Sequence, residues 1–186
     1  RWYRPGFHLQ NWMSKAGKFP RPGFNTFNTK PADLVTSQIF QLQKLTAQDT
    51  LALRHRVLRP HQSVQDCSFP QDQWPTTFHV GALIEQKVMS IATFHEEAFP
   101  RLQARLPYRL RGMATDQSLQ GKGIGRKVLE MGMAELKSRG CDLLWCNARE
   151  IAFPFYENME MEFKGPLFDI PGLGPHKVMY LYFSGS

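Results

Sequence analysis

Apolar and polar residues recur along this chain with two periods, about two for strands and about 3.6 for helices. Ile39 to Leu45 alternates apolar and polar positions and predicts a strand. Thr46 and Asp49 offer helix caps ahead of Leu51–Leu58, and Pro60 ends that helix. Residues 60–76 are polar and proline-punctuated, a loop in which Cys67-Ser68-Phe69-Pro70 either lines a pocket or is plain surface. Phe78–Ile84 and Lys87–Phe94 are apolar, β-prone arms of a hairpin around Glu85-Gln86. After a connector over Pro100–Pro107, Tyr108–Thr115 predicts another strand. Ile124, Val128, Met131 or Gly132, and Leu136 then line one face of a helix that ends near Gly140. Leu143–Cys146 is continuously apolar and predicts a buried, parallel strand. A short helix over Ala152–Met159 carries Pro154 in its first turn, where proline is tolerated. Pro166, Pro171, Gly172, Gly174 and Pro175 predict a long loop before a last strand over Val178–Phe183. The expected architecture is α/β. A mixed central sheet has an antiparallel first half and a parallel crossover, with helices on its flanks.

Composition narrows this picture. The 186 residues suffice for one domain with a full core, and 42% apolar with 12% aromatic content fits a globular protein. The formal charge of +7 is uneven. Residues 1–35 hold six Lys or Arg and one acid, a net of +5, and the remainder holds seventeen and fifteen, a net of +2. A basic, aromatic-rich segment over 1–35 is thus set apart from a domain over 36–186. It reads as an arm packing on this domain or on a second copy (a homodimer), as an extension, or as a single-strand nucleic-acid binder; a nucleic-acid partner is the least expected. No run of eighteen apolar residues exists, and no short apolar signal-peptide core is present. Cys67, Cys141 and Cys146 cannot all pair, and their spacing matches no zinc pattern. A cytoplasmic protein with reduced thiols, no metal and no membrane partner is expected.

The candidate chemistry sits between the Tyr108–Thr115 strand and the helix after it. Gln120-Gly121-Lys122-Gly123-Ile124-Gly125 is a glycine-spaced loop opening onto a helix. Such a junction leaves backbone N–H groups unpaired at the positive end of the helix dipole, and so offers an anion site. Lys122 and Arg126 add charge. The spacing is neither the nucleotide P-loop nor the dinucleotide fingerprint.

Gln120–Gly125 reads as Q-x-x-G-x-G and resembles the pyrophosphate loop of the GNAT acetyltransferases, which bind acetyl-coenzyme A. The resemblance runs from about Ile39 to Phe183. Arg54–Arg59 is similar to the first-helix segment of a bacterial subgroup, Leu110–Asp116 to the central strand and Leu144–Arg149 to the next strand. Phe155-Tyr156-Glu157 resembles the helix that closes the coenzyme site, and Phe168–His176 the final loop.

The resemblance implies roles. Gln120, Gly121, Lys122, Gly123, Ile124, Gly125 and Arg126 would hold the pyrophosphate. Met113, Ala114 and Thr115 would offer strand backbone to the pantetheine arm, and the two central strands would splay to admit the thioester. Asn147 would contact the pantetheine, with Phe155 and Tyr156 beside the coenzyme. Tyr156 is the candidate acid, and the Met113 or Ala114 N–H a donor to the carbonyl oxygen. Some members carry a glutamate on the central strand; Arg109 stands there and cannot act as base. Glu96, Glu97 and His176 are the remaining candidates. The closing helix usually ends in Gly-Phe; Glu160 and Met161 replace that pair, and Glu160 is expected to cost some stability or to shift the turn.

The implied function is transfer of an acetyl group from acetyl-CoA to a primary amine of a small molecule, or of a protein or peptide, by direct attack. A non-catalytic acyl-CoA-binding or sensing domain is the alternative, and a nucleic-acid-associated protein a third. Arg56, Arg101 and Arg105 hint at an acceptor that carries a carboxylate.

Overall fold

In the computed structural model, residues 40–183 are described. The expectations about residues 1–35, including the arm and a dimer through it, lie outside them. Among the described residues seven strands form one sheet in the order β1-β2-β3-β4-β5-β7-β6. Strands β1 (Gln41–Leu45), β2 (Phe78–Ile84), β3 (Lys87–Glu96) and β4 (Pro107–Thr115) form an antiparallel meander, and β5 (Leu143–Arg149) pairs parallel with β4. The α/β architecture with a parallel crossover at the glycine loop is therefore as expected.

Helix α1 (Ala47–Leu53) starts at a capping box, with Thr46 N–H donating to Asp49 at 2.8 Å and Asp49 N–H to Thr46 Oγ1 at 3.3 Å. It continues as a single π turn over Arg54–Leu58. Helix α2 (Ile124–Ser138) buries Ile124, Val128, Leu129, Gly132 and Leu136. It lies on Phe94 so closely that a Cβ at Gly132 would stand 2.2 Å from that ring. Its partners in the main core include Val80, Ala92, Leu110 and Leu144. Leu53 packs with Ile91 and Ala114 in a separate cluster.

The expected last strand over Val178–Phe183 forms but starts earlier, at Gly174, and much of the expected loop before it is a further strand. Strand β6 (Glu162–Ile170) and strand β7 (Gly174–Tyr182) form a hairpin, β7 inserting antiparallel beside β5. Lys164 pairs with Val178 and Phe168 with His176, so Gly165, Pro166 and Leu167 bulge opposite Lys177. A proline is tolerated there because β6 is an edge strand and needs no N–H on its open side. The density of Pro and Gly hid a strand that a bulge accommodates.

Helix α3 (Phe153–Glu157) ends as its sequence warned. Met161 N–H donates to Tyr156 O at 3.1 Å and Glu160 N–H to Glu157 O at 2.9 Å, the two bonds of a Schellman cap. Glu160 is its left-handed residue, at φ +63°. Glu160→Gly is expected to stabilise the protein by about 1 kcal/mol, raising Tm by about 2–4 °C in a thermal melt. An unchanged or lower Tm would mean that the cap is not strained.

Candidate active site

Strands β4 and β5 pair only at Pro107 with Leu143, Tyr108 with Leu144 and Arg109 with Trp145. Beyond those pairs they part, and a cleft of about 1050 Å³ opens between Leu110–Thr115 on one side and Cys146, Asn147 and Arg149 on the other. The parting has a local cause in β4. Thr93 pairs with Arg111 but Ile91 with Ala114, so Gly112 and Met113 together face Ala92 as a β-bulge. Gly112 has φ +62°, and a Cβ there would meet Arg54 Nε at 3.0 Å and Phe69 at 3.1 Å.

The bulge leans on a buried ion pair. Arg54 Nη1 donates to Asp72 at 2.6 Å and Nη2 to Asp72 at 2.9 Å and to Thr93 Oγ1 at 2.7 Å, while Asp72 also accepts Phe69 N–H at 2.9 Å. Both side chains are fully buried. Burial alone would raise the Asp72 pKa, but the Arg54 and Phe69 hydrogen bonds hold it below the ordinary carboxylate value. Sequence reading missed this pair. Its signal was Arg54 itself, three residues after Leu51 and four before Leu58, on the apolar face of the helix.

The glycine loop sits at the mouth of the cleft. Asp116 accepts Ser118 N–H at 3.1 Å and is clamped by Arg56 at 3.0 and 2.8 Å. Gln120 Nε2 donates to Thr115 O at 3.0 Å, tying the loop back to its strand. Gly123 is the N-cap of α2 at φ +79° and offers no side-chain cap. Among the described residues the N–H groups of Gly123, Ile124, Gly125 and Arg126 meet no protein acceptor. They are the orphan donors of a helix start, and they fit an anionic ligand such as a pyrophosphate. A Cβ at Gly125 would come within 2.9 Å of Thr115 Oγ1, so the helix can approach the strand only through glycine here.

The structure gathers most of the predicted site residues. Met113, Ala114, Thr115, Gln120, Gly121, Gly123, Gly125, Arg126, Asn147, Phe155, Tyr156 and His176 all line the cleft. Ile124 is buried beneath it, and Lys122 is exposed outside it. Glu96 and Glu97 also lie outside its lining. Glu97 accepts from Arg109 at 2.8 Å and is 2.7 Å from His95 Nε2. Tyr156 is 7% exposed. Burial, then the neighbouring Cys146, pushes its hydroxyl well above the ordinary phenol range, so it stays protonated at neutral pH. His176 is buried except where it meets the cleft, and its Nδ1 lies 2.7 Å from Gly174 O. A carbonyl only accepts, so Nδ1 carries a proton, which in the neutral tautomer leaves the lone pair on Nε2.

Cys67, Cys141 and Cys146 are unpaired and buried. Burial pushes the Cys141 thiol up to about 11 and the Cys146 thiol up to about 12. The native protein is expected to leave all three unreacted with a disulfide reagent over minutes, and to titrate all three in denaturant. Rapid native labelling would show the cleft opening to Cys146. Among the described residues no cluster of three or more His, Cys, Asp and Glu could hold a metal, and no helix is long and apolar enough to cross a membrane.

Known proteins share this fold. Residues 43–161 match the model of the acetyltransferase (GNAT) family. The chain is 35% identical over 142 residues to the uncharacterized N-acetyltransferase YitI of Bacillus subtilis (strain 168), covering 76% of this chain and 95% of the relative. Among solved structures, Escherichia coli ElaA superposes with a TM-score of 0.61 at 15% identity, over 76% of this chain and 99% of that one. An aminoglycoside 6'-N-acetyltransferase complexed with coenzyme A superposes with a TM-score of 0.61 at 11% identity, over 76% of this chain and 96% of that one. At those identities the two structures speak to the fold. The family match and the bacterial relative speak to the enzyme class, and on them this chain belongs to the GNAT family of N-acetyltransferases.

Proposed function

We propose that this chain binds acetyl-CoA in the β4–β5 cleft and moves its acetyl group to the primary amine of a small molecule in the cytoplasm. One observation carries the reading. The two strands part directly beyond the Arg109–Trp145 pair, and unpartnered N–H groups at the start of α2 face the same opening. A structural neighbour that is an aminoglycoside 6'-N-acetyltransferase in complex with coenzyme A supports the choice of coenzyme.

The loop from Gln120 to Arg126 holds the pyrophosphate through its backbone. Met113, Ala114 and Thr115 offer the strand edge left free by β5, and Asn147 and Phe155 border the same channel. Acetyl-CoA supplies the activated acyl group when bound. The chain's own residues have three tasks. His176 Nε2 takes the proton of the amine, in preference to Glu96 and Glu97, because it faces the cleft and they do not. The Met113 or Ala114 N–H stabilises negative charge on the carbonyl oxygen. Tyr156 holds its proton at neutral pH and delivers it to the leaving thiolate.

Calorimetric titration with acetyl-CoA, followed by thiol release in the presence of an amine panel, tests the reading. Wild-type protein should bind and turn over. Tyr156→Phe should bind equally but lose about 10²–10⁴-fold in kcat. Binding without turnover of any amine would favour the non-catalytic alternative, and no binding would sink the proposal.

A further inference from the structure

Among the described residues the cleft lining carries five arginines and a histidine, and not one aspartate, glutamate or lysine. One of them, Arg126, belongs to the glycine loop. The other four gather at the opposite end, beyond the bulge. Arg111 lies four residues before Thr115, on the order of 13 Å along an extended strand. Arg109 and Arg111 alternate with Leu110 and share a sheet face, Arg109 pairs across to Trp145, and Arg149 follows Trp145 on that same face. Arg149 pairs with His176 in β7. Arg59 ends the π turn that follows α1.

Their bonding sets three of these apart. Arg109 is paired with Glu97 and stacked at 4.6 Å over Trp145. Arg111 donates to the amide oxygen of Gln71 at 3.1 Å, Arg149 to the carbonyl of Leu58 at 3.2 Å, and Arg59 to Gln62 at 3.1 Å and to the carbonyl of Asp66 at 3.4 Å. None of the three meets a carboxylate among the described residues. Phe69 holds two of them, with Arg111 at 4.1 Å and Arg59 at 5.1 Å from its ring centre. The Arg149–Leu58 bond ties the third to the residue next to Arg59.

Half-buried like charges held together with no carboxylate bonded to them cost free energy, which the more distant Glu97 offsets only in part at Arg111. Burial, and after it the charges of Arg109 and Arg59, lower the Arg111 pKa. Rigid, stacked guanidinium forks suit a planar or tetrahedral oxyanion. An acceptor that was only a cation would meet repulsion and no acid.

Resting on the acyltransferase reading, we propose that the amine acceptor carries an oxyanion, a carboxylate or a phosphate, bound by Arg111, Arg149 and Arg59 beside His176. The same positive field favours the neutral over the protonated amine, which is the form that attacks. Arg56, Arg101 and Arg105 are not these residues. None lines the cleft, Arg56 is bound to Asp116, and Arg105 lies 3.6 Å from Asp142.

The test uses matched pairs with saturating acetyl-CoA: amino acids against their carboxamides, and phosphoethanolamine against ethanolamine. Thiol release gives kcat/KM, and calorimetry in the presence of coenzyme A gives acceptor affinity. The anionic member of at least one pair should be preferred by about tenfold or more, as expected for a charge-assisted contact. The pair that responds tells carboxylate from phosphate. Arg111→Gln should raise KM for that acceptor about tenfold and leave kcat and acetyl-CoA affinity near wild type, with Arg111→Lys in between. If Arg111→Gln does not fold, Arg149→Gln, whose side chain among the described residues bonds only to a backbone carbonyl, takes its place. Equal use of both members in both pairs, better use of the neutral members, or neither turnover nor binding of any anionic amine would overturn the proposal. Failure to bind acetyl-CoA would instead overturn the acyltransferase reading beneath it.

Discussion

Arg54→Met should destabilise the protein by about 3–5 kcal/mol, the cost of leaving one partner of a buried ion pair alone. Met keeps much of the volume, so the loss is mainly of charge and hydrogen bonds. Asp72 would remain fully buried with one backbone donor, Phe69 N–H, where it now has the Arg54 fork as well. A domain of this size should lose on the order of 10 °C in Tm. The sign of the pH dependence follows from the Asp72 pKa, which is lowered in the native protein. Its stabilisation is present above the unfolded value of about 3.9 and is lost as pH falls through the native value. In the variant the unpaired carboxyl protonates more readily, so the gap between the two proteins should narrow as pH falls from 7 towards 4. The double variant Arg54→Met with Asp72→Leu should recover part of the loss. If Arg54→Met melts within 2 °C of wild type, or the gap widens in acid, the ion pair does not anchor the bulge as described.

The second large effect is on binding. Gly123→Asp should weaken acetyl-CoA binding by about 100-fold or more, with little change in fold stability. Two opposing terms keep stability near wild type. A side chain at φ +79° costs about 1–2 kcal/mol. An N-cap aspartate returns about 1 kcal/mol by accepting the orphan N–H groups of the first turn. Among the described residues no atom lies within 4 Å of the added Cβ, so none of them has to move. The coenzyme loses on both counts: its donors are taken by an internal carboxylate, and that charge repels the pyrophosphate. Losing one or two charge-assisted hydrogen bonds, at about 1.5–3 kcal/mol each, reaches the stated factor. Gly123→Ala separates the causes. It carries the same backbone strain with no charge and no acceptor, so its binding should fall well short of the aspartate loss. Calorimetry with acetyl-CoA reads both. Equal, small losses in the two variants would remove the α2 N-terminus from the coenzyme site.

Local pattern reached far along this chain. The Phe78–Ile84 and Lys87 hairpin, the Tyr108 strand, the glycine loop and the α2 face were legible because each is specified by neighbours in sequence. Period, caps and glycines act within a turn or two. Even the strain at Glu160 was readable, since a helix that ends in a Schellman cap needs a left-handed residue whatever surrounds it. Strand β6 and the first residues of β7 were not legible, although the rest of β7 was. Pro166 and the glycines around it say loop by local rule, and only the bulge at a sheet edge overrides that rule.

Charge was the least legible. Sequence pointed to Arg56, Arg101 and Arg105 as acceptor arginines and to Glu96, Glu97 and His176 as candidate bases. Tertiary structure turned Arg56 to Asp116, tied Glu97 to Arg109, and brought Arg59, Arg111 and Arg149 to one end of the cleft from three separate elements. Nothing in the one-dimensional spacing of these residues joins them. By itself the sequence determined the order of most elements, the family and the glycine loop that opens α2, because those depend on contacts a few residues long. Which charges are buried, paired or left free to meet a ligand was decided only by the fold, because a charge's environment is made by residues tens of positions away. Arg54 and Asp72 are eighteen residues apart in sequence and 2.6 Å apart in space.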